Sequence, residues 1–254
     1  MTVRGKRSSR AGAGAGATGV ARAPAQATKP TPPSAAALTL GLAGAATAFA
    51  ATFRGPRPQF WNRMTLTGLT LGGFALLSSE PARRLRIRPW HVPIGLASAA
   101  VLYATFQVGD RFARSLLPAG DREIRDIYAL RTLRPRGEIA ARLALIIGPA
   151  EELFWRGLVQ EALMARAGRW RGAALAAVAY GGVHVVTGNF TLFGAAGVAG
   201  AHWCALYAAG VPLGALVVSH VAWDIWIFLV QPTGEIEAIG PAGSVRLEAA
   251  ALGF

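Results

Sequence analysis

The segment Gly148-Pro149-Ala150-Glu151-Glu152-Leu153-Phe154-Trp155-Arg156-Gly157 sets two carboxylates and a guanidinium inside an otherwise lipid-soluble run. A charge at the centre of a membrane helix costs about 2.5–3.5 kcal/mol, so such a cluster needs partners, water or a purpose. Glu152 and Arg156 lie four apart, share one helix face and can neutralise each other. Glu151 points about 100° away and is left free for another task. His220 and Asp224 repeat the spacing of four in the last apolar run, and His184 lies in a third run with Tyr180 one turn earlier. If three helices bring Glu151, His184, His220 and Asp224 to one polar cavity, the set is reactive. A carboxylate and an imidazole sharing a water can take its proton, and a second imidazole with a neighbouring acid can stabilise the oxyanion that forms. Glu151, His184 and His220 are equally the donor set of a catalytic zinc with one open position. Each group also has a purely structural role: a helix-locking ion pair, a satisfied core histidine, a hydrogen-bonded His–Asp pair.

The chain that must position these groups has 254 residues, 53% hydrophobic and only 15% charged, with a mean hydropathy of +0.38. That is too apolar for an ordinary soluble domain and specifies an all-α, polytopic membrane helix bundle. Its net charge of +13 comes from 26 basic residues against 13 acidic ones. They gather in the N-terminal tail and between apolar runs, at 54–63, 83–88 and 111–136, where membrane lipid headgroups would meet them. No nucleic-acid-binding motif accompanies them, so nucleic acid is not an expected partner. The one cysteine, Cys204, permits neither an intramolecular disulfide nor a Cys-based metal cluster.

The chain divides into four regions. Residues 1–34 are basic, Ala/Gly/Pro-rich and expected to be disordered. Residues 35–137 hold apolar runs at about 36–53, 64–79 and 91–108, then an Arg-rich amphipathic connector at 109–137. The connector reads first as a solvated link, with anionic headgroups as its alternative partner. Residues 138–230 carry the motif helix to about Met164 and runs near 170–186, 189–208 and 211–230, giving about seven membrane helices, six to eight in range. Residues 231–254 form a polar tail. The basic tail argues for a cytoplasmic N-terminus, but three spans would then put the Arg-rich connector outside, against the positive-inside tendency.

The remaining polar residues have simpler accounts. His202 lacks an acid at helical spacing and reads as packing, His91 beside Trp90 as an interface anchor, Glu161 as solvated near a helix end, and Arg142 as snorkelling. The other tryptophans read mostly as belt or packing residues. Gly-x-Ser-x-Gly, His-Glu-x-x-His and phosphate-loop motifs are missing, which removes the sequence support for a serine hydrolase, a soluble zincin or a nucleotide-driven transporter.

At these residues the sequence resembles the CPBP family, the intramembrane CAAX-type proteases and bacteriocin-processing enzymes also called the Abi family. Its Glu-Glu-x-x-x-Arg motif stands here as Glu151-Glu152-Leu153-Phe154-Trp155-Arg156, its aromatic-x-x-x-His motif as Tyr180 to His184, and its His-x-x-x-Asn/Asp motif as His220 to Asp224. Tyr180 replaces the usual Phe. The resemblance covers about 138–230 and implies a membrane hydrolase that cuts peptide bonds with water activated by Glu151 and His184. It also implies that His220 and Asp224 stabilise the tetrahedral intermediate, supported by Glu152 and Arg156. A metallo mechanism with Zn and a metal-free glutamate mechanism both fit. The metal-free one is preferred, because Glu151 would otherwise be both ligand and base. Substrates are expected to be membrane-associated proteins or peptides, and the Arg-heavy, Lys-poor composition suggests a bacterial cytoplasmic membrane, which makes prenylated CAAX proteins the less expected substrate. The competing classes are a non-enzymatic immunity or scaffold protein and a proton or ion pathway through the same side chains.

Overall fold

The computed structural model describes residues 1–3, 30–117 and 119–233. The expectations for the basic tail at 4–29 and the polar tail from 234 lie outside the described residues.

Every regular element among the described residues is helical. Ser34 starts α1 (Ala35–Phe53) by accepting the Ala37 amide at 3.1 Å, the standard N-cap arrangement. After one 3-10 turn comes α2 (Phe60–Ser78), then the short α3 (Glu80–Arg83), α4 (His91–Leu116) and α5 (Gly120–Tyr128). The motif lies in a helical stretch over residues 136–167, built from α6 (Arg136–Arg142), α7 (Gly148–Phe154) and α8 (Glu161–Ala167) joined by π turns at Leu143–Ile147 and Trp155–Gln160. Gly168, at φ +84°, ends it and admits α9 (Arg169–Val183). Asn189 caps α10 (Phe190–Ala208) by accepting the Leu192 amide at 2.7 Å. The chain then runs through α11 (Leu213–Ile225) into a π turn at Trp226–Val230.

These helices fall close to the runs read from hydropathy. Four are long and apolar enough to cross a membrane: Ala35–Phe53, His91–Leu116, Phe190–Ala208 and Leu213–Val230. The motif helix stands among them, with α7 packed against α2 and α11, α9 against α10, and α11 against α4.

Small residues set the closest of these contacts. Gly68 and Gly72, four apart on α2, face Ala150, so a Cβ at Gly72 would stand 2.8 Å from that of Ala150. Gly72→Val is therefore expected to push α2 off the Glu151 helix and lower stability by about 1–3 kcal/mol. Among the described residues a Cβ at Gly73 meets nothing within 4 Å, so Gly73→Ala should melt at or slightly above the wild-type temperature when both are followed by thermal unfolding in detergent.

Several polar residues differ from their expected roles. His91 is buried at 4% exposure rather than anchored at an interface, and its Nδ1 accepts the Arg88 amide at 3.2 Å. Glu161 is not merely solvated, because the Tyr207 hydroxyl donates to it at 2.6 Å. Arg142 does not snorkel: it donates to Glu138 (3.0 Å), Asn62 (3.0 Å) and Thr65 (2.8 Å), tying α6 to α2.

The Arg-rich connector is docked rather than a free link. Ile124 and Leu130 are buried, and Asp110 takes hydrogen bonds from Arg114 and Thr233. Glu123 accepts from the Thr191 amide (2.9 Å) and hydroxyl (2.7 Å) at the start of α10. Burial pushes the Glu123 carboxyl up, but the bonds from Thr191 and the Phe190 amide outweigh it and leave it below the usual 4.5. A carboxyl lowered by folding contributes stability that is present above 4.5 and lost as pH falls through its folded value. Amide protection at Thr191 and Leu192 should therefore drop on acidification below that value in the wild type, and Glu123→Gln should remove the dependence.

Candidate active site

Glu151 and Glu152 sit on α7, framed by the two π turns. Each π turn inserts an extra residue into the helical register, a feature often found at functional sites. Glu152 and Arg156 are fully buried and form an ion pair at 3.0 Å. The guanidinium carbon also lies 4.9 Å from the Tyr180 ring and 5.1 Å from the Trp203 ring, so it is held by one carboxylate and two π faces.

His220 on α11 joins the two motifs. Its Nδ1 is 2.7 Å from Glu152 Oε1, while Nε2 is 3.6 Å from Asp224 Oδ2 and 4.0 Å from Glu151 Oε2. The carboxylate at Nδ1 fixes that nitrogen as a donor and aims Nε2 between Glu151 and Asp224. Sequence spacing paired Glu152 with Arg156 and His220 with Asp224; the fold makes one cluster of them by adding the Glu152–His220 bond.

His184 sits where α9 tightens into a 3-10 turn. Its Nδ1 is 2.8 Å from the Tyr180 carbonyl, which can only accept, so Nδ1 carries a proton and the neutral ring keeps its Nε2 lone pair free. The Tyr180 hydroxyl donates to Glu151 Oε2 at 3.1 Å. Tyr180 thus binds Glu151 through its side chain and His184 through its backbone, a role the sequence announced only by Tyr standing where Phe is usual. Trp203, read as belt or packing, stacks on His220 with ring centroids 4.1 Å apart, and no local spacing announces that.

Glu151, Tyr180, His184, His220 and Asp224 all line one cavity of about 560 Å³. The rest of its wall is largely apolar and includes Phe53, Phe60, Trp61, Phe106, Phe190 and Phe228. Glu152 and Arg156 stand behind that wall. Although Glu151, His184 and His220 share the cavity, no three His, Cys, Asp or Glu side chains among the described residues are grouped to hold a metal ion. Both Nδ1 atoms are engaged, by the Tyr180 carbonyl and by Glu152, which leaves Nε2 as the nitrogen each ring presents. Glu151, His184 and His220 are the side chains that would hold a zinc, but they do not converge on one point as a zinc set requires.

Four helices long and apolar enough to cross a membrane, together with a buried cluster of carboxylates and imidazoles at the wall of an apolar cavity, are the features of an integral membrane protein with a polar site inside it. Residues 138–226 match the family model described as type II CAAX prenyl endopeptidase Rce1-like, a match consistent with a CAAX protease family. The match begins in α6, reaches past the end of α11 and includes all three motifs; α1–α5 lie outside it. Comparisons with curated proteins and with solved structures returned no match.

Proposed function

We propose that the protein is an intramembrane endopeptidase that hydrolyses membrane-associated protein or peptide substrates with water activated by Glu151 and His184. The observation that carries this reading is the shared cavity, into which Glu151, His184, His220 and Asp224 all project from three separate helical segments. The Rce1-like domain supplies the prior for peptide bonds as the target.

The carboxylate of Glu151 and the free Nε2 of His184 hold a water against the scissile carbonyl carbon. As its oxygen bonds to that carbon, Glu151 takes the proton. His220 Nε2–H faces the developing oxyanion, with Nδ1–H anchored on Glu152. When Asp224 carries a proton it adds a second donor beside Nε2. Collapse of the intermediate breaks the C–N bond, and Glu151 returns its proton to the leaving amine. The apolar cavity excludes bulk water and strengthens each of these interactions.

In this reading the motif helix, α2 and α9 cross the bilayer beside the four apolar spans, in a bacterial cytoplasmic membrane. The purified protein, in vesicles, should release the C-terminal tripeptide from a farnesylated peptide ending in a CAAX sequence. Excess chelator should leave the rate unchanged. No cleavage of this peptide or of a transmembrane peptide, together with proton flux across the vesicles that Asp224→Asn abolishes, would replace the peptidase by an ion pathway.

A further inference from the structure

We propose that Trp203 is a positioning residue: locked by a hydrogen-bonded chain of Ser219, Ser98 and His202, its indole sets the plane of the His220 imidazole. The proposal deepens the hydrolase reading, and its consequence for rate rests on that reading, while its geometric content stands alone. Trp203 is fully buried on α10 and lies nearly parallel to His220, at an interplanar angle of 19°. The bond to Glu152 fixes only Nδ1 and leaves the imidazole free to swing about that contact. A flat surface 4.1 Å away removes that freedom and fixes where Nε2 points.

The indole is itself held. Its Nε1–H, a donor only, meets Ser219 Oγ at 3.0 Å. Ser219 Oγ lies 2.8 Å from Ser98 Oγ, which lies 3.0 Å from His202 Nε2. Since Ser219 accepts from Trp203, its own proton is free for Ser98, and Ser98 can donate in turn to His202. The chain crosses α4, α10 and α11, and its first link, Ser219, is the residue directly before His220, so both stacked rings share one anchor. Trp223 closes the arrangement edge-on, 5.6 Å from the Trp203 ring. This gives His202 and Ser98 a purpose that packing alone does not explain.

The chain has four histidines, so the protein labelled with [13Cε1]histidine can be followed by NMR in detergent, with His220 assigned by the signal lost in His220→Gln. The indole ring current should move the His220 Cε1–H proton upfield in the wild type. Trp203→Phe should reduce that shift, and Ser219→Ala should move and broaden the resonance without displacing those of His91 and His184. With the farnesylated CAAX peptide, Ser219→Ala should lower kcat about tenfold and leave KM within about twofold. A His220 resonance that coincides in wild type and Ser219→Ala overturns the proposal, whatever the peptidase assay gives. A wild type that cuts neither this peptide nor a transmembrane peptide and passes protons, but shows the expected NMR changes, overturns the hydrolase reading and leaves the positioning role standing.

Discussion

Glu151→Gln should leave a folded protein that has lost at least about 10³-fold of its cleavage rate, within the range that a positioned general base contributes. The side chain keeps its size, and its amide oxygen can still accept the Tyr180 hydroxyl that now reaches Glu151 at 3.1 Å. At 8% exposure Glu151 borders the cavity rather than the sealed interior, and among the described residues its one cationic partner at ion-pair distance is His220, 4.0 Å away. The melting temperature should therefore stay near wild type. Loss of rate without loss of fold is the signature of a residue used for chemistry.

Glu152→Gln should behave differently, although the two residues are neighbours. Glu152 is fully buried, holds Arg156 at 3.0 Å and receives His220 Nδ1 at 2.7 Å. Neutralising it strands a buried guanidinium between two aromatic rings. Removing one partner of a buried ion pair costs about 3–5 kcal/mol, because the surviving charge is uncompensated. The variant should melt at a much lower temperature, and any folded fraction should be slow because His220 loses its anchor. Replacing Glu152 and Arg156 together by Leu should recover much of the stability, since both charges leave at once, but none of the activity. Thermal unfolding in detergent separates these outcomes.

The contrast shows how far the sequence carries. The helical runs were legible because hydropathy is local, and Glu152 with Arg156 or His220 with Asp224 were legible because a helix brings residues four apart to one face. The Glu152–His220 bond joins residues 68 apart in sequence, so no periodicity reveals it. The Trp203 stack on His220 depends on how α10 leans on α11, and a buried tryptophan looks like core in any sequence. Tyr180 was visible as a departure from Phe, but its carbonyl bond to His184 arises only as α9 closes into a 3-10 turn. The same limit explains Glu161, whose partner Tyr207 comes from another helix.

The π turns were equally hidden. They flank Glu151 and Glu152 at Leu143–Ile147 and Trp155–Gln160, and nothing in the residue pattern marks them. Each rotates the next helical segment relative to an ideal helix, so the angle of about 100° between adjacent side chains describes α7 alone and does not extend across the turns.

The most direct measurement is mass spectrometry of the products formed from a farnesylated CAAX peptide by wild type, Glu151→Gln and His184→Ala, each purified and shown to be folded. Wild type is expected to release the tripeptide and leave a new carboxyl-terminal prenylcysteine, and the two variants are expected to leave the peptide intact. Cleavage by both variants at the wild-type rate would contradict the account.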